Sequence, residues 1–214
     1  RDDALQSRLR RFFTRSETFA LPNKKASYEL AHIVFYLSEY GQSDPELPAT
    51  AVESLTFAGI LAYLDQDMDL LAEICAARRF AGAAAPALWE DAVQSAARAC
   101  RIVPQQGGGP VDGYHAYLVA GWAAQMSGGA AFCQPVPQGA VAIRYTPPNG
   151  ALQAISAALF EMGETRQAQW SLMRGRVMRA LDPEAQEILA EAETSCPQFE
   201  AFFARFARTP IPAM

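Results

Sequence analysis

The sequence predicts an all-α fold of about eight to ten antiparallel helices in a single domain. Three observations carry that prediction. Apolar residues recur at helical spacing through most of the chain. The connections are short and marked by Gly, Pro or Asp, so consecutive helices run antiparallel. Gly128–Thr146 is the least helical part, and its Val141–Tyr145 run reads as a short strand or an extended crossing. The helical hairpins stack either into a bundle or into part of an α/α ring or solenoid, and no fixed-period repeat chooses between them.

Taken in order, Asp3–Thr14 is a short basic amphipathic helix. Pro22-Asn23 breaks the chain before a strong helix over Lys24–Tyr40, whose stripe is Ala26, Leu30, Ile33, Val34 and Leu37, with Gly41 as its stop. Thr50–Leu64 follows, with Val52, Leu55, Ile60 and Leu61 turned to the core, and Asp65–Asp69 punctuates it before a helix over Leu70–Phe80. Ala85-Pro86 opens a helix running to about Ile102. Gln105–Pro110 is a flexible loop, and Asp112 is placed to cap a helix over Tyr114–Met126. Helices over Ala151–Met162, Thr165–Leu181, Pro183–Thr194 and Pro197–Ala207 complete the domain, which spans 1–208, with 209–214 as a loosely held tail.

The chain has 214 residues, half of them apolar and 19% charged, enough for one sizeable core. A net charge of −5 gives no reason to expect a nucleic-acid partner. Arg8, Arg10, Arg11 and Arg15 cluster, but acids flank them, and a solvated helix face is preferred to a phosphate grip. Cys75, Cys100, Cys133 and Cys196 are far apart with no C-x-x-C pair, which excludes a zinc-finger pattern and argues against a disulfide framework. The most apolar stretch, Tyr114–Phe132, is interrupted by His115, Gln125 and glycines, so no membrane span is expected. With no signal-peptide pattern in view, a soluble cytoplasmic protein is the expectation.

Both histidines lie in conspicuous surroundings. Glu29, His32, Tyr36 and Glu39 form a second stripe beside the apolar one, and an acid one turn from an imidazole suits a general acid–base group. The same pattern also describes a polar face against solvent or a neighbouring helix. His115 falls in the first turn of its helix, where the dipole favours a neutral ring, near Tyr114, Tyr117 and Trp122. It is either a base or a satisfied structural residue. Should the two converge, a two-histidine site with a carboxylate results. No H-x-x-x-H pattern is present, and no metal site is predicted.

The cluster Asp65, Asp67, Asp69 and Glu73 resembles the opening of an EF-hand loop but fails it. Leu70 stands in place of the glycine and Ala76 in place of the bidentate acid. Helix caps and a solvated turn are its preferred reading. Trp170 with Arg174 and Arg176 describes either a solvated face or a binding surface for a protein or a peptide carboxylate. No P-loop, no G-x-G-x-x-G after a strand and no G-x-S-x-G elbow is present.

Three segments carry a partial resemblance. They are Tyr28–Gly41 (with H-x-x-F-Y-L-x-x-x-G), D-M-D-L-L-A-E-I from Asp67, and Y-H-A-Y-L-V from Tyr114. In order and spacing, over roughly the first 130 residues, they are similar to a family of helical bacterial proteins associated with peptide natural-product gene clusters. The resemblance implies an all-α fold and a biosynthetic role, and supplies no reaction or cofactor. It places His32 and His115 inside its motifs.

The leading expectation is therefore an enzyme or accessory protein of peptide or small-molecule modification. His32 and His115 would line one inter-helix pocket, supported by Glu29, Tyr36 and Tyr117. The alternatives are a non-catalytic module presenting Trp170, Arg174 and Arg176 to a protein or peptide, and a carrier of a hydrophobic small molecule.

Overall fold

A computed structural model describes residues 3–105 and 113–209, and it is all-α apart from one two-stranded ribbon. The helices are α1 (Asp3–Phe13), α2 (Ser16–Phe19), α3 (Lys24–Leu37), α4 (Ala49–Leu64), α5 (Met68–Phe80) and α6 (Ala87–Ala99). After them come β1 (Arg101–Pro104), α7 (Tyr114–Met126), β2 (Val141–Arg144) and α8 (Leu152–Glu161). A 3-10 turn (Gly163–Thr165), α9 (Trp170–Arg179), α10 (Pro183–Ser195) and α11 (Phe199–Phe206) close the chain.

The helices form a bundle around α4 and α5. Helix α4 is apolar on every side, and twelve of its sixteen residues are buried, as befits a helix surrounded by others. It packs against α2, α3, α5 and α10, while α5 packs against α3, α4, α6 and α7. Gly59 makes the centre possible. A Cβ there would run into the indole of the fully buried Trp89 from α6.

The sequence and the structure part in a few places, each with a local cause. The chain leaves α6 at Ala99, and Arg101–Pro104 pairs antiparallel with Val141–Arg144. Ile102 and Val103 favour extended backbone, and Pro104 bars helix in the residue before it. Helix α3 stops at Leu37, so Glu39, at φ 50°, lies off the helical stripe that was to contain it. Val52 is only half-buried, because α4 turns that position toward the bundle rim. The long helix expected over Thr165–Leu181 is a 3-10 turn and then α9. The loop at 106–110, the cap at Asp112 and the tail from 210 lie outside the described residues. Cys75, Cys100 and Cys196 are buried, Cys133 is exposed, and all four are free.

Candidate functional site

The site begins with the acidic run between α4 and α5. Asp65 closes α4, and Asp67 caps α5, its carboxylate accepting from the Leu70 amide at 3.2 Å. That much is the capping role these residues suggest. The tight join is held by the returning chain. Ala151 donates its amide to the Leu64 carbonyl at 2.7 Å, and Gly150 lies against the Asp65 backbone where no side chain fits.

Helix α3 runs beside α5 and presents Lys24, Tyr28 and His32, four residues apart and so on one face. Each meets a carboxylate. Lys24 Nζ lies 2.7 Å from Asp65 and 2.9 Å from Asp67. The Tyr28 hydroxyl donates to Asp69 Oδ2 at 2.7 Å. His32 Nε2 lies 3.1 Å from Glu73 Oε2. From the other side, α7 delivers His115, whose Nδ1 is 2.8 Å from Asp69 Oδ1. Asp69 and Glu73 stand one turn apart on α5, so two carboxylates on one helix each hold a histidine from a different helix.

The electrostatics differ along this ladder. Lys24 is pushed up to about 12, chiefly by its hydrogen bond to Asp65. Burial, helped by the bond to Asp69, pushes the Tyr28 phenol well above its ordinary value. Glu73 is the unusual member. It is 3% exposed, and burial raises its carboxyl above the usual range. Nearby Asp69 adds to the rise, and His32 and His115 oppose it. Its Oε2 is within ion-pair reach of His32 but makes no well-aligned hydrogen bond.

Both histidine side chains are about half exposed, at 50% and 58%, while the carboxylates behind them are largely covered. Asp69 accepts from the Tyr28 hydroxyl and turns its other oxygen to His115 Nδ1, the geometry that suits the Nδ1–H tautomer as donor. That tautomer leaves Nε2 as the basic nitrogen. A carboxylate behind a histidine fixes its tautomer and favours the imidazolium formed when it takes a proton. His32 uses Nε2 toward Glu73, which leaves Nδ1 for the same work.

His32 also lines a cleft of about 700 Å³ between α1 and α3. On the α3 wall it stands with Glu29, Ile33 and Tyr36, and on the α1 wall are Leu5, Arg8, Leu9 and Phe12. Arg11 and Arg15 complete the rim. His115 is not among the lining residues. The expected common pocket thus resolves into two histidines that bear on one carboxylate pair, with the cleft on the His32 side.

The remaining expected residues fall as follows. Glu29 and Tyr36 share the cleft with His32, but Glu29 is 4.0 Å from Lys25 and the Tyr36 ring packs edge-on to Tyr40. Tyr117 is buried against Phe132 and does not support His115, because its position on α7 turns it inward. Trp170 is 4% exposed, its ring packed on Phe199 and Phe203, so it offers no surface to a partner. Arg174 is paired with Glu193 at 2.8 Å, and Arg176 is bonded to the Thr165 carbonyl and hydroxyl. Sequence reasoning missed Tyr28, Asp69 and Glu73 as members of the site. The available signal was the matching four-residue step of Tyr28/His32 and Asp69/Glu73.

Among the described residues, no three His, Cys, Asp or Glu side chains are grouped to hold a metal ion, and no helix is long and apolar enough to cross a membrane. The family profile of DUF6902, a domain of unknown function, matches residues 1–209. The chain belongs to that family. The match takes in both carboxylate–histidine pairs of this DUF6902 chain and both walls of its cleft. No curated protein and no solved structure matches it.

Proposed function

We propose that this protein is a cytoplasmic enzyme of peptide or small-molecule modification, working in a biosynthetic setting by acid–base catalysis at His32 and His115. The observation that carries the reading is the pair of carboxylates, Asp69 and Glu73, each backing a half-exposed histidine from a separate helix. A carboxylate–histidine pair is how a protein holds an imidazole in one tautomer and stabilises its charged form. His115, through Nε2, takes a proton from the substrate, and Asp69 stabilises the resulting imidazolium. His32, with Glu73 behind it, returns a proton.

The reading is tested by incubating the purified protein with the peptide and small-molecule fraction of its source cells and following products by mass spectrometry. A product made by the wild type and by Arg174→Ala, and lost in the His32→Ala/His115→Ala double variant, supports it. Equal product from the double variant contradicts it.

A further inference from the structure

Helices α1 and α3 face each other across the cleft of about 700 Å³. Its two walls are built the same way. Leu5, Arg8, Leu9 and Phe12 on α1 and Glu29, His32, Ile33 and Tyr36 on α3 follow one spacing of three, one and three residues. Each wall is therefore a single helix face, and the faces look at each other across open space.

Helix α1 is fixed in this position from behind. Phe13 is fully buried, Ser54 donates its hydroxyl to the Phe13 carbonyl at 2.6 Å, and Arg10 donates to the carbonyls of Pro45 and Glu46. The cleft is a built gap between anchored helices.

Its chemistry is two-sided. Leu9, Phe12 and Ile33 are partly buried and give it an apolar floor. Arginines gather at the rim. Arg11 spends its Nε on the Ser7 carbonyl. The guanidinium groups of Arg8 and Arg15 make neither a hydrogen bond nor an ion pair with any described residue. Glu29 is the one acid among these residues, and Lys25 stands beside it. In a chain of net charge −5, three arginines around one apolar cleft are a local reversal of sign.

We propose that this cleft binds a small organic anion with an apolar body, its charged head held by Arg8 and Arg15 and its body on Leu9, Phe12 and Ile33. Guanidinium forks pair carboxylates and phosphates two bonds at a time, and a volume of about 700 Å³ falls within the usual range for a small-molecule site. His32, on the opposite wall, then meets the bound molecule. The proposal names a ligand class for the His32 side of the site described above, and it rests on that reading only for the part His32 plays.

Isothermal titration calorimetry of the full chain with decanoate, 1-decanol and acetate tests it. Decanoate is expected to bind one-to-one, with 1-decanol and acetate each about tenfold weaker or more. The Arg8→Ala/Arg15→Ala variant is expected to lose about tenfold in decanoate affinity. Should that variant lose helicity by circular dichroism, the single Arg8→Gln and Arg15→Gln variants read the same loss in an intact fold. Equal affinity for decanoate and 1-decanol, unchanged affinity in the arginine variants, or no heat with decanoate overturns the proposal. Calorimetry reads binding alone, so its failure leaves the two-histidine product assay standing, and the reverse holds too.

Discussion

Two faces of this molecule carry aromatic and charged residues at helical spacing, and they put them to different ends. On α9, Trp170 turns inward onto Phe199 and Phe203, while Arg174 reaches along the surface to Glu193. On α3, Tyr28 and His32 turn toward α5 and meet Asp69 and Glu73, which are largely covered from solvent. The first face divides its labour: the apolar ring packs and the charge is solvated. The second mixes them, placing a desolvated carboxylate directly behind an exposed imidazole. The lesson is that polar residues mark a site when their charge is held away from water, since that costs stability and is kept where it serves another purpose.

The sharpest way to break this contrast is to remove the imidazoles. Turnover in the double variant His32→Ala/His115→Ala should fall by about 10²- to 10⁴-fold, the usual worth of acid–base catalysis, while Arg174→Ala should leave it unchanged. Next in size is the α9 face itself. Trp170→Ala should cost about 3–5 kcal/mol in chemical denaturation and leave the chemistry intact in the folded fraction, because its role is packing.

The third test is the pH dependence of Glu73. Its carboxyl titrates higher in the fold than in the unfolded chain, where the reference value is 4.5. The stability it confers is therefore complete below that value and is lost as pH rises through the raised folded value. The facing groups are His32 from α3, His115 from α7 and Asp69 on α5 itself. Compared by thermal melting, Glu73→Gln should gain on the wild type as pH rises through this window, and the difference should level off above it. A difference that stays constant across the range would mean that burial does not govern this carboxyl.

Smaller effects finish the series. Tyr28→Phe removes one hydrogen bond to Asp69 and should cost about 1–2 kcal/mol. Arg174→Ala removes an ion pair at the surface and should cost under about 1 kcal/mol, less in high salt.

Much of the fold was legible in the sequence because helical period and turn chemistry are local. Ala49–Leu64 and Pro183–Ser195 lie close to where their periodicity put them, Lys24–Leu37 starts where Pro22-Asn23 put it but stops three residues short of Tyr40, and Asp67 and Asp182 cap their helices. The strand at Ile102–Val103 was hidden because its partner is some forty residues on, at Ala142–Ile143. At the site, His32 and His115 stood out by scarcity and setting. Their carboxylates did not, since Asp69 and Glu73 sit in a run whose first members do cap helices. Only the packing of α3 and α7 against α5 separates those two acids from Asp65 and Asp67. Trp170 and Arg174 erred in the opposite direction: residue types favoured at interfaces were in this case spent on a core and a surface pair.

Asp69 and Glu73, each behind one imidazole, set where the two rings carry their protons. Long-range ¹⁵N–¹H NMR, at a pH where both rings are neutral, reads the tautomers directly. The Nδ1–H form is expected for His115 and the Nε2–H form for His32, with His115 reverting toward Nε2–H in Asp69→Ala. Finding His115 with its proton on Nε2 in the wild type, or finding no change on removing Asp69, would contradict it.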